Sequence, residues 1–316
     1  MKYELNRNVG RLLRSILLSS DAVINAWMMT QRRIVLLRQR LLYRERPDDV
    51  FIVSYPKSGT TWMQMIVYQL LKDGDMNIPH IETVIPHLEE DMTLMHADLE
   101  GLPNPRILKS HLRYGEIPKG CGRYIYAMRD GLDVMVSFYY HYRRAFGYVG
   151  DLDSFSKLFM KGEVVYGGWF SHVNEWTSNA YGLNVLIVRY EDLSRDLAGQ
   201  VRRIAQFCSQ PLDEPVLTRV LENSSFEVMR KHEMKFDNMA RKRAATKVKE
   251  EDNHFIRKGR VGGWRDEVGP ELRRAYFDAI DSQLRGDVFD EYRHPHDRGV
   301  TREGGGKGEY VAEGLR

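Results

Sequence analysis

Hydrophobic positions open the chain in a helical rhythm. Leu13, Leu17, Ile24, Met28 and Val35 recur at steps that keep to one face, with Leu12, Ile16, Val23, Trp27, Ile34 and Leu41 beside them. Arginines fill much of the remainder, and Arg46-Pro47-Asp48-Asp49 reads as the turn that ends the segment. The pattern then changes. Residues 50–55 (VFIVSY) are β-branched and aromatic, the composition of a buried strand. Residues 61–74 (TWMQMIVYQLLKDG) return to helical spacing and stop at Gly74. Strand, tight turn and helix are how an α/β sheet begins. Three later runs repeat the strand signal: 106–111 (RILKSH), 123–128 (RYIYAM) and 184–190 (NVLIVRY). Helical stretches follow the last two, LDVMVSFYYHYRRAF and DLAGQVRRIAQFC. No internal repeat is visible. Residues 230–260 are basic and weakly periodic and read as a long surface loop. From His294 onward, with GGGKG, the composition is that of a flexible tail. The expected layout is an amphipathic helical extension over 1–48, an α/β domain over 49–293 and a disordered tail over 294–316.

Charge sharpens the picture at the N-terminus. Residues 1–46 carry ten basic and three acidic side chains, a balance of +7, while the whole chain of 316 residues is only +3. The plain expectation is a helix packed on the domain. The alternatives are a partner-binding helix, or peripheral contact of residues 11–44 with an anionic membrane surface. A net charge of +3 does not suggest a nucleic-acid binder. Two cysteines, Cys121 and Cys208, make no disulfide framework and suit a reducing compartment. Only Ile16-Leu17-Leu18 follows the basic start before serines intervene, which is too short for a secretory signal. No run approaches the roughly 20 apolar residues of a membrane span. The reading is a cytoplasmic protein.

Candidate chemistry begins at SYPKSGTTW, residues 54–62. A Walker loop places its lysine after the last glycine, as G-x-x-x-x-G-K-[ST]. Here Lys57 precedes Gly59. Ser58, Gly59, Thr60 and Thr61 would still stand at a helix N-terminus, where backbone N–H groups and the helix dipole favour an anion. The turn would hold an anion, but not in the manner of an ATP-binding loop.

Three further stretches carry polar groups of this kind. Arg129 closes a predicted strand, the position where open α/β sheets place ligands, and Ser137 lies eight residues on. A structural salt bridge is an equal reading of Arg129. Arg257, Lys258 and Gly259 offer two cations and an unobstructed backbone, although a basic loop is usually solvated surface. Lys109 and His111 share one face of a strand, since side chains alternate. His111 is either a structural histidine or a general base. No metal-ligand cluster is evident.

Taken in order, these stretches carry a resemblance. YPKSGTTW, KSH, the arginine and serine of RDGLDVMVSFYYH, YEDL, and RKG followed by GW occur in the order found in the cytosolic sulfotransferases. The chain resembles that family from about residue 49 to about residue 292, and GEVVYGGWFSHVNEW (162–176) is similar to its substrate-side helix. No one motif is specific, but five in order are. The resemblance implies a single P-loop-like α/β domain with a central parallel sheet flanked by helices. It implies transfer of a sulfuryl group from 3'-phosphoadenosine 5'-phosphosulfate (PAPS) to a hydroxyl or amine of a small acceptor, without a metal.

Carried over by position, Lys57, Ser58, Gly59, Thr60, Thr61 and Trp62 would take the 5'-phosphate side, with Trp62 stacking on adenine. Arg129, Ser137, Arg257, Lys258 and Gly259 would bind the 3'-phosphate. Tyr190, Ser224 and Phe226 would reach the adenine. His111 would be the base, Lys57 would lie beside the phosphate–sulfate bridge and neutralise charge on the departing phosphate, and Lys109 would help stabilise the transferring group. The sequence departs from the pattern in four places. Gly263 precedes Trp264 where an acidic or amide residue is common, Ser224 stands for threonine, the short C-terminal dimer motif is not recognisable in RDEVGPELRR, and the N-terminal extension is longer and more basic than in the compact animal enzymes. A P-loop kinase would need a lysine after the glycine and a Mg²⁺-binding aspartate. A non-catalytic module of the same fold would be expected to lack His111 or Lys57, and both are present. The acceptor's identity is not readable from residues 77–102 or 230–253.

Overall fold

The structure is a computed structural model and describes residues 37, 43–74, 76–89, 99–237 and 254–293. The expected N-terminal helix and C-terminal tail lie outside the described residues.

All four expected strands form. β1 (Val50–Ser54), β2 (Ile107–Ser110), β3 (Arg123–Met128) and β4 (Asn184–Arg189) make one parallel sheet in the order β2-β1-β3-β4. β1 is central and buried along its whole length, which explains its unbroken apolar run. The helices are α1 (Thr60–Leu71), α2 (Gly131–Phe146), α3 (Leu152–Lys161), α4 (Trp169–Ser178), α5 (Tyr190–Arg195), α6 (Leu197–Phe207), α7 (Glu214–Asn223), α8 (Phe226–Lys231) and α9 (Pro270–Gln283).

Alternation along the strands divides the core in two. Phe51, Val53, Leu108, Tyr124 and Tyr126 face α2, α3, α4 and α9, in a layer rich in aromatic rings. Tyr126 and Trp176 are stacked there at 5.2 Å. Val50, Ile52, Ile107, Ile125 and Val188 face α1, α6 and α7 on the other side. The helix after β1 therefore covers one face and the helix after β3 the other. Between these two neighbouring strands the connections diverge, which opens a crevice at their carboxyl ends. Ser54 and Ala127 pair at that edge, so the turn after β1 and Arg129 after β3 stand side by side.

Two expectations need correction. Residues 162–176 are not one helix: α4 begins only at Trp169. Gly162 caps α3 at φ 72°, and Tyr166 (φ 72°) and Gly167 (φ 76°) keep the backbone left-handed, which helices exclude. The basic stretch after residue 230 is not loop from its start, because α8 runs to Lys231, a 3₁₀ turn covers Glu233–Lys235, and Phe236 is buried. No described helix is long and apolar enough to cross a membrane.

Candidate active site

The turn between β1 and α1 holds two residues in the left-handed region, Lys57 at φ 71° and Gly59 at φ 95°. For lysine that conformation costs about 1–2 kcal/mol, and strain of this kind persists where the surroundings impose it, often at ligand sites. Gly59 has a steric reason as well: a Cβ there would stand 2.8 Å from Cδ2 of Tyr190. Ser54 and Thr60 hydroxyls pair at 2.6 Å beneath the turn. α1 starts without a side-chain cap and without an acidic residue in its first turn, whereas Asp130, Asp151, Asp196 and Asp213 cap α2, α3, α6 and α7. The positive end of α1 is thus of the kind that suits an anion.

Lys57 is half-buried and ringed by cations. Burial lowers its ammonium to about 7, with Arg144, Arg129, Lys109 and Arg257 adding to the effect. Each of those four is paired with a carboxylate: Arg144 with Asp237 (3.1 Å), Arg129 with Asp133 (3.5 Å), Lys109 with Glu82 (3.6 Å) and Arg257 with Glu267 (2.9 Å). Lys57 lies 5.2 Å from the ring centre of Phe255. Five cations converging on one turn suit a polyanion.

A second cradle comes from residues 257–264. Asp133 on α2 anchors this loop, accepting from Gly262 N (2.8 Å) and Trp264 N (3.1 Å). Arg129 ties it to the first turn by donating to Arg260 O at 3.0 Å. Arg257 and Lys258 both bond Oε1 of Glu267, at 2.9 and 2.8 Å, and Tyr140 donates to its Oε2 at 2.7 Å. Burial pushes the Glu267 carboxyl up, but the bonds from Lys258, Arg257 and Tyr140 outweigh it and hold the group below the usual range. Ser137 is half-buried on α2.

Aromatic residues wall the space beside the turn. Trp62 and Tyr190 meet edge to face at 5.2 Å, and Trp62 Nε1 donates to Ser224 O at 2.8 Å. Arg129 covers the Tyr190 ring at 4.1 Å. The Ser224 hydroxyl is buried and donates to Val220 O, so its backbone carbonyl, not its hydroxyl, serves this wall. Phe226 is partly exposed and packs so closely on Gly259 that a Cβ there would meet its ring at 2.3 Å.

His111 follows β2 directly and is buried. Its Nδ1 lies 2.8 Å from Ser54 O, which can only accept, so Nδ1 carries the proton and Nε2 keeps a lone pair. Burial lowers its pKa well below the ordinary value, helped by Lys109 and His87 and opposed by Glu89 and the Ser54 bond. The ring meets Tyr166 at 5.2 Å and His87 at 5.3 Å.

Contacts therefore bring Lys57, Gly59, Thr60, Trp62, Arg129, Tyr190, Ser224, Phe226, Arg257, Lys258 and Gly259 around the end of the sheet, with His111 after β2, while Ser58, Thr61 and Ser137 are placed only by their position on the turn, α1 and α2. Four others belong to the site and went unread. Arg144 adds a buried cation beside Lys57, Glu267 occupies the second cradle, and His87 and Glu89 back His111. Among the described residues, no group of three or more His, Cys, Asp or Glu side chains is placed to hold a metal ion.

Comparison with known proteins agrees with this geometry. A profile described as "Sulfotransferase domain" matches residues 47–287. Mouse sulfotransferase 2B1 is 35% identical over 260 residues, covering 80% of this chain and 75% of that protein. The mouse sulfotransferase SULT7A1 structure, complexed with PAP, superposes with a TM-score of 0.66 at 25% identity, covering 84% of this chain and 94% of that one. Retinol dehydratase in a complex with retinol and PAP superposes with a TM-score of 0.63 at 25% identity, covering 77% and 82%. With the profile spanning most of its length and a relative at this identity, the chain belongs to the sulfotransferase family.

Proposed function

We propose that this sulfotransferase takes its sulfuryl group from PAPS and passes it in line to the hydroxyl, or amine, of a small apolar acceptor, with His111 as the base. PAP is what PAPS becomes on losing that group, and it is the nucleotide bound in SULT7A1 and in retinol dehydratase. The residues present fit such a donor. Phosphates at both ends of an adenosine need two cationic cradles, here the Lys57 turn and the Arg257–Lys258 loop, with Trp62, Tyr190 and Phe226 between them for the base. Retinol in the dehydratase complex supports an apolar alcohol as acceptor.

The observation that carries the base reading is the Nδ1 bond to Ser54 O, which leaves Nε2 to accept a proton. Nε2 would take the acceptor's hydroxyl proton as its oxygen bonds to sulfur. The bond from sulfur to the bridging oxygen breaks, and its electron pair stays on the phosphate, where Lys57 offsets the growing charge. Lys109 would steady the sulfuryl oxygens. Positioning and electrostatics do most of this work, as in in-line phosphoryl transfer.

Labelled PAPS offered with phenols, steroids, amines and lipid extracts identifies the acceptor. His111→Ala should keep PAP affinity and lose ~10²–10⁴ in kcat. A variant that transfers at the parent rate across neutral pH would refute the base assignment. Residues 11–44 we assign to an anionic membrane surface, on the charge balance of their sequence. Flotation of the full chain with anionic liposomes at low salt tests this, and its absence overturns it.

A further inference from the structure

β2 is an edge strand, and residues 86–89 grip it from outside. Lys109 N donates to Pro86 O at 3.0 Å, His87 forms a parallel bridge with Lys109, and His111 N donates to Glu89 Oε1 at 2.5 Å. One short segment therefore fixes the backbone of both residues assigned to the transfer. The other oxygen of Glu89 lies 3.4 Å from His87 Nε2. The His87 ring stands perpendicular to that of His111, centre to centre at 5.3 Å. His87, Glu89 and His111 are all buried.

Glu89 is held buried against the His111 backbone, which brings its charge close to the base. That charge matters most when His111 becomes positive, as it does on taking the acceptor's proton. We propose that Glu89 is a positioning residue for His111 and also steadies the imidazolium formed in the transition state, with His87 holding Glu89 ionised and in place. This rests on the reading of His111 as base.

The surrounding charges support the assignment. Burial raises the Glu89 carboxyl, yet His87 and His111 outweigh it and keep it below the usual range. Around the His111 ring, Lys109 and His87 oppose a positive charge, Glu89 favours it, Ser54 O fixes the Nδ1 proton, and Tyr166 faces the ring. Glu89 is the carboxylate that favours a positive charge on that ring. It works through the His111 backbone and through space.

The test compares Glu89→Ala, Glu89→Gln and His87→Gln with the parent and with His111→Ala, reading kcat against pH and PAP affinity. Loosening the base should lower kcat in Glu89→Ala by about 10²-fold. Glu89→Gln keeps an acceptor for the His111 N–H and should recover part of that loss. KM for PAPS and PAP affinity should stay within about twofold, since the change falls on the transition state. The directions of the acid limb decide the electrostatic part. The base must be neutral, so rate falls as pH drops through the His111 pKa. Removing the Glu89 charge moves that limb to lower pH. Removing His87 relieves its repulsion of the ring and moves the limb to higher pH where Glu89 stays ionised. A role confined to folding predicts no such opposed movement. Parent-like kcat and acid limbs in both Glu89 variants, with His111→Ala inactive, overturn the proposal. An active His111→Ala would instead sink the base reading. Should both Glu89 variants fail to bind PAP, Glu89→Asp decides, since it keeps the charge on a shorter side chain: a lowered kcat with an acid limb near the parent's supports the proposal, and a parent-like kcat overturns it.

Discussion

Gly59 and Tyr190 close on each other across the mouth of the first cradle, with Cδ2 of the tyrosine 2.8 Å from where a Cβ on Gly59 would stand. The glycine also sits at φ 95°. An alanine there must relieve both the contact and the backbone. The left-handed conformation alone costs about 1–2 kcal/mol, so Gly59→Ala should weaken PAP binding by roughly tenfold or more. Calorimetry with PAP on a variant of parent-like circular dichroism measures this. Undiminished affinity would mean that the nucleotide does not use this turn.

Lys57 should take up a proton when nucleotide binds. Burial and four neighbouring cations lower its pKa to about 7 in the free protein. A phosphate in the cradle favours the charged form and raises that value. At pH about 8 the free lysine is largely neutral, so binding must draw a proton from solvent; at pH about 5.5 it is already charged and uptake vanishes. Titrations with PAP in buffers of different ionisation enthalpy give the proton count. Uptake at the higher pH should disappear in Lys57→Met. Equal proton counts for parent and variant there would contradict the assignment.

Arg257 and Glu267 should shift nucleotide preference in opposite senses. Arg257 and Lys258 share one carboxylate oxygen of Glu267, so a 3'-phosphate competes with that carboxylate for them. Arg257→Ala should weaken PAP by about tenfold to a hundredfold and leave adenosine 5'-phosphate, which lacks the 3'-phosphate, little changed. Glu267→Gln removes the competing charge and should tighten PAP by several-fold, again with little effect on the simpler nucleotide. If Arg257→Ala loses both nucleotides equally, the second cradle is not a 3'-phosphate site.

Much of this site was legible because its residues follow strands. The unbroken apolar run that buries β1 also places the turn after it, and Lys57, Gly59 and Thr60 fall in that turn. Arg129 closes β3 for the same reason. Arg257 and Lys258 were legible only through the resemblance, since nothing local distinguishes them from solvated surface. Arg144 was hidden by its neighbour: Arg143-Arg144 near a helix end reads as charge complementing the dipole. Glu89 and His87 act through a backbone N–H and a bridge to β2, and neither leaves a periodic trace. α3 and α9 did leave signals that went unread, Asp151 with Gly162 at the ends of one and Pro270 at the start of the other.

A buried ion pair joins the first two strands at the foot of the sheet. Asp49 precedes β1 and Arg106 precedes β2, and both side chains are fully buried. The guanidinium is bidentate on the carboxylate, Nε to Oδ1 at 2.7 Å and Nη2 to Oδ2 at 2.6 Å. Tyr43 (2.7 Å) and the backbone of Arg46 (2.8 Å) also donate to Oδ2, and Arg106 donates onward to Leu99 O (3.2 Å) and Arg44 O (2.5 Å). The pair thus ties the chain entering β1 to the chain entering β2, while Val50 N bonds Arg106 O at 2.8 Å. Desolvation makes such a pair weak evidence of net stability, but removing one partner strands the other's charge, which typically costs 3–5 kcal/mol. Arg106→Met should therefore lower the melting temperature by on the order of 10 °C. Adding Asp49→Asn should recover part of that loss, because the stranded charge is gone. Thermal unfolding of the two single variants and the double variant measures the coupling. A double variant no better than the sum of the singles would show that the two charges do not depend on each other. The crevice lies at the opposite, carboxyl end of these strands, so kcat of the folded protein should not change in any of the three.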